Sequence, residues 1–291
     1  MRTAEDIQIR DPFVFVEDGR YYLFGTTDAN CWHGRAAGFD AFVSEDLVHF
    51  AEGVRIFEPS ADFWGTENFW APEMHPYRGA YYLFASFKAP DRRRATAILK
   101  ADNPLGPYAP WGAEQVTPPE WESLDGTLYV DGAGQPYVVF CHEWLQEDGG
   151  TICARRLKED LSGPEGEAVT LFAATDAPWP RQVTHSSGVK GFVTDGPFLY
   201  RPENGKLYML WSSLSETGYA IGLAISDSGK IQGPWRQQEK PLFAGDGGHG
   251  MLFRTLEGEL RLAIHAPNKS PNERALFLPV RETAEGLVVE G

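Results

Sequence analysis

The chain has 291 residues, 42% of them hydrophobic and 13% aromatic, which is enough to build a core for one large domain or two small ones and argues against disorder. Its formal charge is −15, from 26 basic against 41 acidic residues, which argues against a nucleic-acid or anionic-membrane partner, since both reward clusters of Lys and Arg. Three cysteines (Cys31, Cys141 and Cys153) without zinc-ligand spacing make no disulfide framework, and they suggest a reducing compartment. The N-terminus, "MRTAEDIQIRDPF", is polar, and no run approaches about 18 consecutive apolar residues, so a cytoplasmic location with no membrane span is expected.

Taken in chain order, five segments share one outline: a small or acidic residue, Pro or Gly, a strand, a polar turn, and a second aromatic-rich strand. They are "DPFVFVEDGRYYLFGTT" from Asp11, "APEMHPYRGAYYLFASF" from Ala71, "DGTLYVDGAGQPYVVFCH" from Asp125, "DGPFLYRPENGKLYMLWSS" from Asp195, and a fifth around His249, "GHGMLFRTLEGELRLAIHAP". The steps between the five named residues are 60, 54, 70 and 54 residues, the length of a four-stranded propeller blade. Each unit carries a Gly-containing hairpin turn: "EDGR", "YRGA", "VDGAGQ", "ENGK" and "LEGE".

A third strand is predicted in each unit, at "DAFVSED", "ATAILKAD", "TICARRL", "AIGLAIS" and "RALFLPV". Fourth strands are weaker, with "VRIFE", "AVTLF" and "KPLFA" as candidates. No long amphipathic helix is predicted, and 21 Pro with 31 Gly would interrupt one. The expected fold is all-β, a five-bladed β-propeller filling residues 1–291 as a single domain, with an irregular β-sandwich as runner-up.

In a propeller the first strand of each blade lines the central channel. The residues opening the repeats (Asp11, Ala71, Asp125, Asp195 and His249) would therefore meet near the axis. Turn chemistry alone could explain one Asp-Gly or Asp-Pro. Three carboxylates converging with a histidine point to a site in which they raise one another's proton affinity. Asp125 and Asp195, on neighbouring blades, should couple, while Asp11 faces them across the pit. That is the arrangement an inverting glycosidase needs, with base and acid roughly 6.5–9.5 Å apart on opposite faces of a sugar.

Trp32, Phe69, Trp70, Trp144 and Trp211 lie near channel-end segments where flat rings can stack on sugars, although propeller blades also pack on aromatics. Trp211 reads as core, and Trp32 and Trp70 as the better rim residues. His33, His75 and His185 are expected in loops, and "DRRRA" (Asp91 to Ala95) reads as a solvated hairpin.

These motifs in this order, from "IRDPFVF" through "FWAPEMH", "SLDGTLYVDGAGQPYVVF" and "TDGPFLY" to "GGHGMLF", resemble glycoside hydrolase family 43 over nearly the whole chain. The resemblance implies a five-bladed propeller that cleaves arabinofuranosyl, xylosyl or galactosyl linkages of plant-type oligosaccharides with inversion. It implies that Asp11 is the general base, that Asp125 orients the acid and tunes its pKa, and that His249 contacts a structural cation, calcium, through water. An anion, no ion, or a His249 that merely plugs the channel are the alternatives there.

Asp195 departs from the family's usual Glu in an "EGP"-like motif. Three explanations follow: Asp reaches the same oxygen from a deeper backbone; Glu73 or Glu143 is the acid; or the protein is a non-catalytic carbohydrate-binding propeller. Glu73 and Glu143 can instead be substrate-binding residues, with Glu143 paired to Arg155 or Arg156. The expected partner is an oligosaccharide, cleaved by exo action on small imported fragments.

Overall fold

The computed structural model describes residues 1–290. It is all-β, and its helical residues among those described are two three-residue 3-10 turns, Ala4–Asp6 and Ala174–Asp176. Five antiparallel sheets follow the five sequence repeats. Their first strands are Arg10–Glu17, Glu67–Tyr77, Ser123–Val130, Asp195–Tyr200 and Gly248–Arg254. From each of these the sheet steps outward in sequence order through a second and a third strand. This is a five-bladed propeller, as the repeats predict.

The hairpins between first and second strands obey local chemistry. Glu17 pairs with Arg20 and Tyr77 with Ala80, leaving two-residue loops, Asp18-Gly19 and Arg78-Gly79, with φ positive at both positions. That is the type I′ turn whose twist matches the flanking strands. The third strands fall where expected, from Phe39–Ser44 to Arg274–Thr283. The outer strands are partly different. Val54–Phe57 covers "VRIFE" up to its last residue and Pro164–Ala173 contains "AVTLF", but blade 4 ends on Trp235–Gln237, and "KPLFA" contributes only the isolated bridge of Phe243 to Ile221. "KPLFA" is too short, and too interrupted by Pro241, to hold a ladder.

Packing between blades supplies the core. Phe39, Phe57, Phe63, Phe69 and Phe87 interlock between blades 1 and 2 with ring centroids 4.8–6.1 Å apart. Truncating one such Phe to Ala costs about 3–5 kcal/mol. Among the described residues the ring closes without exchanging a strand between the first and last blades. Arg10 pairs with the buried Glu273 at 2.7 Å, Ile9 N–H reaches the Glu273 carbonyl, and Arg2–Thr3 adds to the outside of blade 1.

One irregularity recurs in all five blades and places the site. Near the start of each first strand, two residues oppose one residue of the second strand: Asp11-Pro12, Ala71-Pro72, Asp125-Gly126, Gly196-Pro197 and His249-Gly250. The first residue of each pair has positive φ, from 47° to 56°. Such a bulge bends the strand and re-aims its side chains.

This shows that the repeats are offset by one residue in blade 4. Asp11, Ala71, Asp125 and His249 are equivalent, but their blade-4 counterpart is Gly196 rather than Asp195. Asp195 occupies the preceding position, equivalent to Arg10, Trp70, Leu124 and Gly248, so it approaches the axis from one residue earlier in the strand.

Candidate active site

The bulge residues Asp11, Asp125 and His249, with Asp195 just before the fourth bulge, line one cavity of about 460 Å³ at the end of the channel where the first strands begin. His249 Nδ1 lies 3.2 Å from Asp11 Oδ1 and 3.5 Å from Asp125 Oδ2. Burial alone would lower the His249 pKa, but Asp11, Asp125, Glu73 and Asp195 outweigh it, so the pKa is raised.

The carboxylates are not equivalent. Burial pushes Asp11 upward, yet His249 and Arg10, with the Thr26 hydroxyl that donates to Oδ2 at 2.7 Å, bring its pKa below the usual value. Its own N–H donates to His265 Nδ1 at 3.1 Å. That bond needs an unprotonated Nδ1, and burial holds His265 down to about 3, so its 3.5 Å approach to Asp11 Oδ1 is not an ion pair.

Asp195 and Asp125 shift the other way. Burial raises Asp195 to about 6, opposed by the Tyr219 hydroxyl, which donates to Oδ2 at 2.9 Å. Burial also raises Asp125 to about 7, with the Asp195 charge adding to it against His249. Their titrations are coupled, since the Asp195 charge raises Asp125. Gly196 N–H donates to Asp125 Oδ2 at 2.9 Å, joining Asp125 to the strand that carries Asp195.

The aromatic and charged wall belongs to blades 1, 2 and 3. Trp32, 44% exposed, packs edge-on to Trp70 at 5.3 Å, and Arg10 lies 4.8 Å over the Trp32 ring. Arg94 lies 4.2 Å over Trp70, hydrogen-bonds Glu143 and reaches Asn68 Oδ1 at 3.4 Å. On the far side Trp144 meets His185 edge-on at 6.1 Å, on the hairpin made by Val183–Thr184 and Lys190–Gly191.

Several sequence expectations are corrected by this geometry. Phe69 is fully buried in the interblade aromatic core, because the residue beside Trp70 faces the opposite side of the strand. Glu73 does not line the cavity; it is buried farther along its strand, 3.3 Å from His75 Nε2. His75 is likewise in a strand, within Glu67–Tyr77, and not in a loop. Glu143 does line the cavity, but its partner is Arg94; Arg155 turns to the Gly166 carbonyl and Arg156 to Glu165. The "DRRRA" run is a hairpin whose first two arginines are exposed, while Arg94 is buried in the site wall.

Tyr219, Arg10, Arg94, Thr26 and His265 were not singled out by sequence reasoning. Superposing the repeats on their hairpins, instead of on their Asp-Gly and Asp-Pro dipeptides, is the signal that brings Thr26 and His265 into register. His249 keeps one ring nitrogen for an axial water or cation, its Nε2 being buried with no hydrogen-bond partner. Its Nδ1 faces two carboxylates, its pKa is raised, and among the described residues no group of three or more His, Cys, Asp or Glu side chains is disposed as a metal shell.

A five-bladed propeller with one depressed carboxylate facing a coupled, raised pair defines the class as a carbohydrate hydrolase scaffold, and comparison with known proteins agrees. The model of glycosyl hydrolases family 43 matches residues 6–286, and the chain belongs to that family. It is 41% identical to the crystal structure of an endo-arabinase from Bacteroides thetaiotaomicron VPI-5482, with a TM-score of 0.90 and 97% of each chain covered. A thermostable family-43 glycoside hydrolase matches at 25% identity and a TM-score of 0.80, covering 98% of this chain and 93% of that one. Among curated relatives, the extracellular exo-alpha-(1->5)-L-arabinofuranosidase ArbA of Cellvibrio japonicus (strain Ueda107) is 25% identical over 306 residues, 92% of this chain and 82% of the relative. The protein is a glycosidase.

Proposed function

We propose that this glycosidase releases terminal L-arabinofuranosyl residues from short plant-type oligosaccharides with inversion, using Asp11 as general base, Asp195 as general acid and Asp125 as the residue that orients and tunes Asp195. The observation that carries the reading is the opposed shift of Asp11 and Asp195 within one cavity. An ionised carboxylate can take a proton from water, while a carboxyl raised toward neutrality can give one to the leaving oxygen.

The hydrogen bonds support the same division of roles. Thr26 occupies one side of Asp11 Oδ2 and His249 stands by Oδ1, so the carboxylate is fixed in its ionised form with lone pairs left for a water proton. Asp195 Oδ2 accepts from Tyr219, which leaves Oδ1 to carry the transferable proton. Asp125, tied through the Gly196 N–H to the strand that carries Asp195, orients the acid and shares its titration. Trp32 and Trp70 offer aromatic faces to the sugar. Glu143 is committed to Arg94 and serves as wall.

The arabinose preference rests on the endo-arabinase and the exo-arabinofuranosidase to which the chain is similar. It is tested with a panel of aryl α-L-arabinofuranosides, β-D-xylosides and β-D-galactosides, followed by short arabino-oligosaccharides, with the product anomer read by NMR. Release of the inverted monosaccharide, arabinose first, is the expected result. Retained configuration, or oligosaccharide products only, contradicts the reading. The water-bridged calcium ion that the family likeness implies is a separate proposal, checked by turnover and Tm before and after EDTA with calcium added back.

A further inference from the structure

Each residue at the first bulge position has a backbone N–H that must find an acceptor inside the protein. In four blades the acceptor is a side chain from the second strand of the preceding blade. Thr26 Oγ1 receives Ala71 N–H at 2.8 Å, and Ser86 Oγ receives Asp125 N–H at 2.8 Å. Ser212 Oγ receives His249 N–H at 2.9 Å, and His265 Nδ1 receives Asp11 N–H at 3.1 Å. These four acceptors are structurally equivalent, because each pairs across its blade with the residue just before the bulge: Arg10 with Thr26, Trp70 with Ser86, Asp195 with Ser212, Gly248 with His265.

The fifth equivalent position is Cys141, paired with Leu124. By the pattern of the ring, the residue there should accept the Gly196 N–H. A thiol is a weak acceptor where hydroxyls and a ring nitrogen are good ones. The Gly196 N–H bonds instead to Asp125 Oδ2 at 2.9 Å. Cys141 is fully buried, and burial raises its pKa well above the usual value, so it is a neutral thiol with no nucleophilic or ligating task. What it does is decline a hydrogen bond that Ser, Thr or His accepts in the other four blades.

We propose that Cys141 is a positioning residue: by not competing for the Gly196 N–H it leaves that donor to Asp125, tying the tuning carboxylate to the backbone next to Asp195. This rests on the roles proposed above for Asp125 and Asp195. A hydrogen bond from a backbone N–H to a carboxylate is among the strong, directional ones, and here it fixes one carboxyl relative to the strand of the other. Placing the second carboxyl within a fraction of an ångström matters because misplacement by about 1 Å can cost on the order of 100-fold. Gly196 has no side chain that could intervene, and a Cβ there would meet the His249 ring at 2.8 Å.

The test compares Cys141→Ser and Cys141→Ala in the full chain. Serine restores the acceptor of the other blades; alanine, like cysteine, offers none. Cys141→Ser is expected to draw the Gly196 N–H to the new hydroxyl and to lower kcat roughly tenfold on arabino-oligosaccharides, with KM unchanged. Turnover of activated aryl arabinofuranosides, which need little acid assistance, should stay within about twofold of the parent. Cys141→Ala should keep the parent kcat on both substrate types, whatever its Tm.

Equal kcat for Cys141→Ser and the parent overturns the proposal, as does an equal fall in both variants, which would make the thiol a packing element. A crystal structure of Cys141→Ser separates this inference from the functional reading. If the parent hydrolyses no glycoside, the functional reading fails, and the positioning role with it. The structure then still decides the rerouting: a contact of about 2.9 Å between Gly196 N and the introduced hydroxyl supports it, and a bond kept to Asp125 overturns it.

Discussion

The Tyr219 hydroxyl donates to Asp195 Oδ2 at 2.9 Å, so one oxygen of the proposed acid is held by a buried phenol while the other is left for the substrate. Burial keeps Tyr219 protonated, with its pKa far above the usual value, so it is always the donor. The bond stabilises the ionised carboxylate and therefore lowers the Asp195 pKa from where burial alone would set it. Tyr219→Phe is predicted to move the alkaline limb of the rate–pH profile upward. Loss of orientation should also lower kcat on oligosaccharides about threefold to tenfold, the worth of one neutral hydrogen bond. A downward shift of that limb would contradict the assignment.

The pH dependence of the parent follows from the same shifts. The base must be ionised, and its pKa is depressed, so activity should persist well below pH 5 before falling as Asp11 takes a proton. The acid must be protonated, and the coupled pair lies at about 6 to about 7, so activity should fall as pH rises through that range. A profile of kcat/KM against pH on an oligosaccharide checks both limbs. Full activity retained to pH 9 would remove Asp195 from the acid role.

The five repeats were legible because each blade must build its own hairpin and needs Gly where φ is positive, and these demands leave Asp-Gly, Arg-Gly and Asn-Gly in the sequence. The convergence of Asp11, Asp125, Asp195 and His249 followed from the same spacing. The one-residue offset of Asp195 was hidden because Asp-Gly-Pro and Asp-Pro look alike, and only the ladder shows that Gly196 occupies the bulge. Phe69 was misplaced because it alternates with Trp70 into the core, and Glu73 because alternation is reset where an irregularity interrupts the strand between Trp70 and Glu73. Arg94 could not be read at all. Nothing local separates it from exposed Arg92 and Arg93, and its burial depends on Trp70 and Glu143 from other strands.

Gly196→Ala tests the crowding at the axis. Its φ of +49° is not by itself prohibitive, since Ala71 holds φ of +47° at the equivalent place in blade 2. The difference is the His249 ring, 2.8 Å from where the new methyl would stand. Displacing His249 should lower turnover on all glycosides by at least about tenfold. Overpacking of about 1–3 kcal/mol should also lower Tm by several degrees. Unchanged activity would contradict the packing of His249 against Gly196.

The Arg94–Glu143 pair separates wall from catalyst. Glu143→Gln keeps the shape of the wall and should leave kcat on aryl and sugar leaving groups reduced by similar, small factors, under about tenfold. Arg94→Met strands a mostly buried carboxylate and is expected to destabilise the fold by about 3–5 kcal/mol, read from chemical denaturation. A loss with Glu143→Gln confined to sugar leaving groups would move the acid to Glu143.

The central claim is that Asp195 donates the proton to the leaving sugar. The most direct measurement is kcat/KM of Asp195→Asn on an arabino-oligosaccharide against an aryl arabinofuranoside whose phenol is strongly acidic. The oligosaccharide should suffer a loss on the order of 100-fold to 10,000-fold, while the activated aryl substrate keeps most of its rate. Equal losses on both substrates, or none on either, would contradict the account.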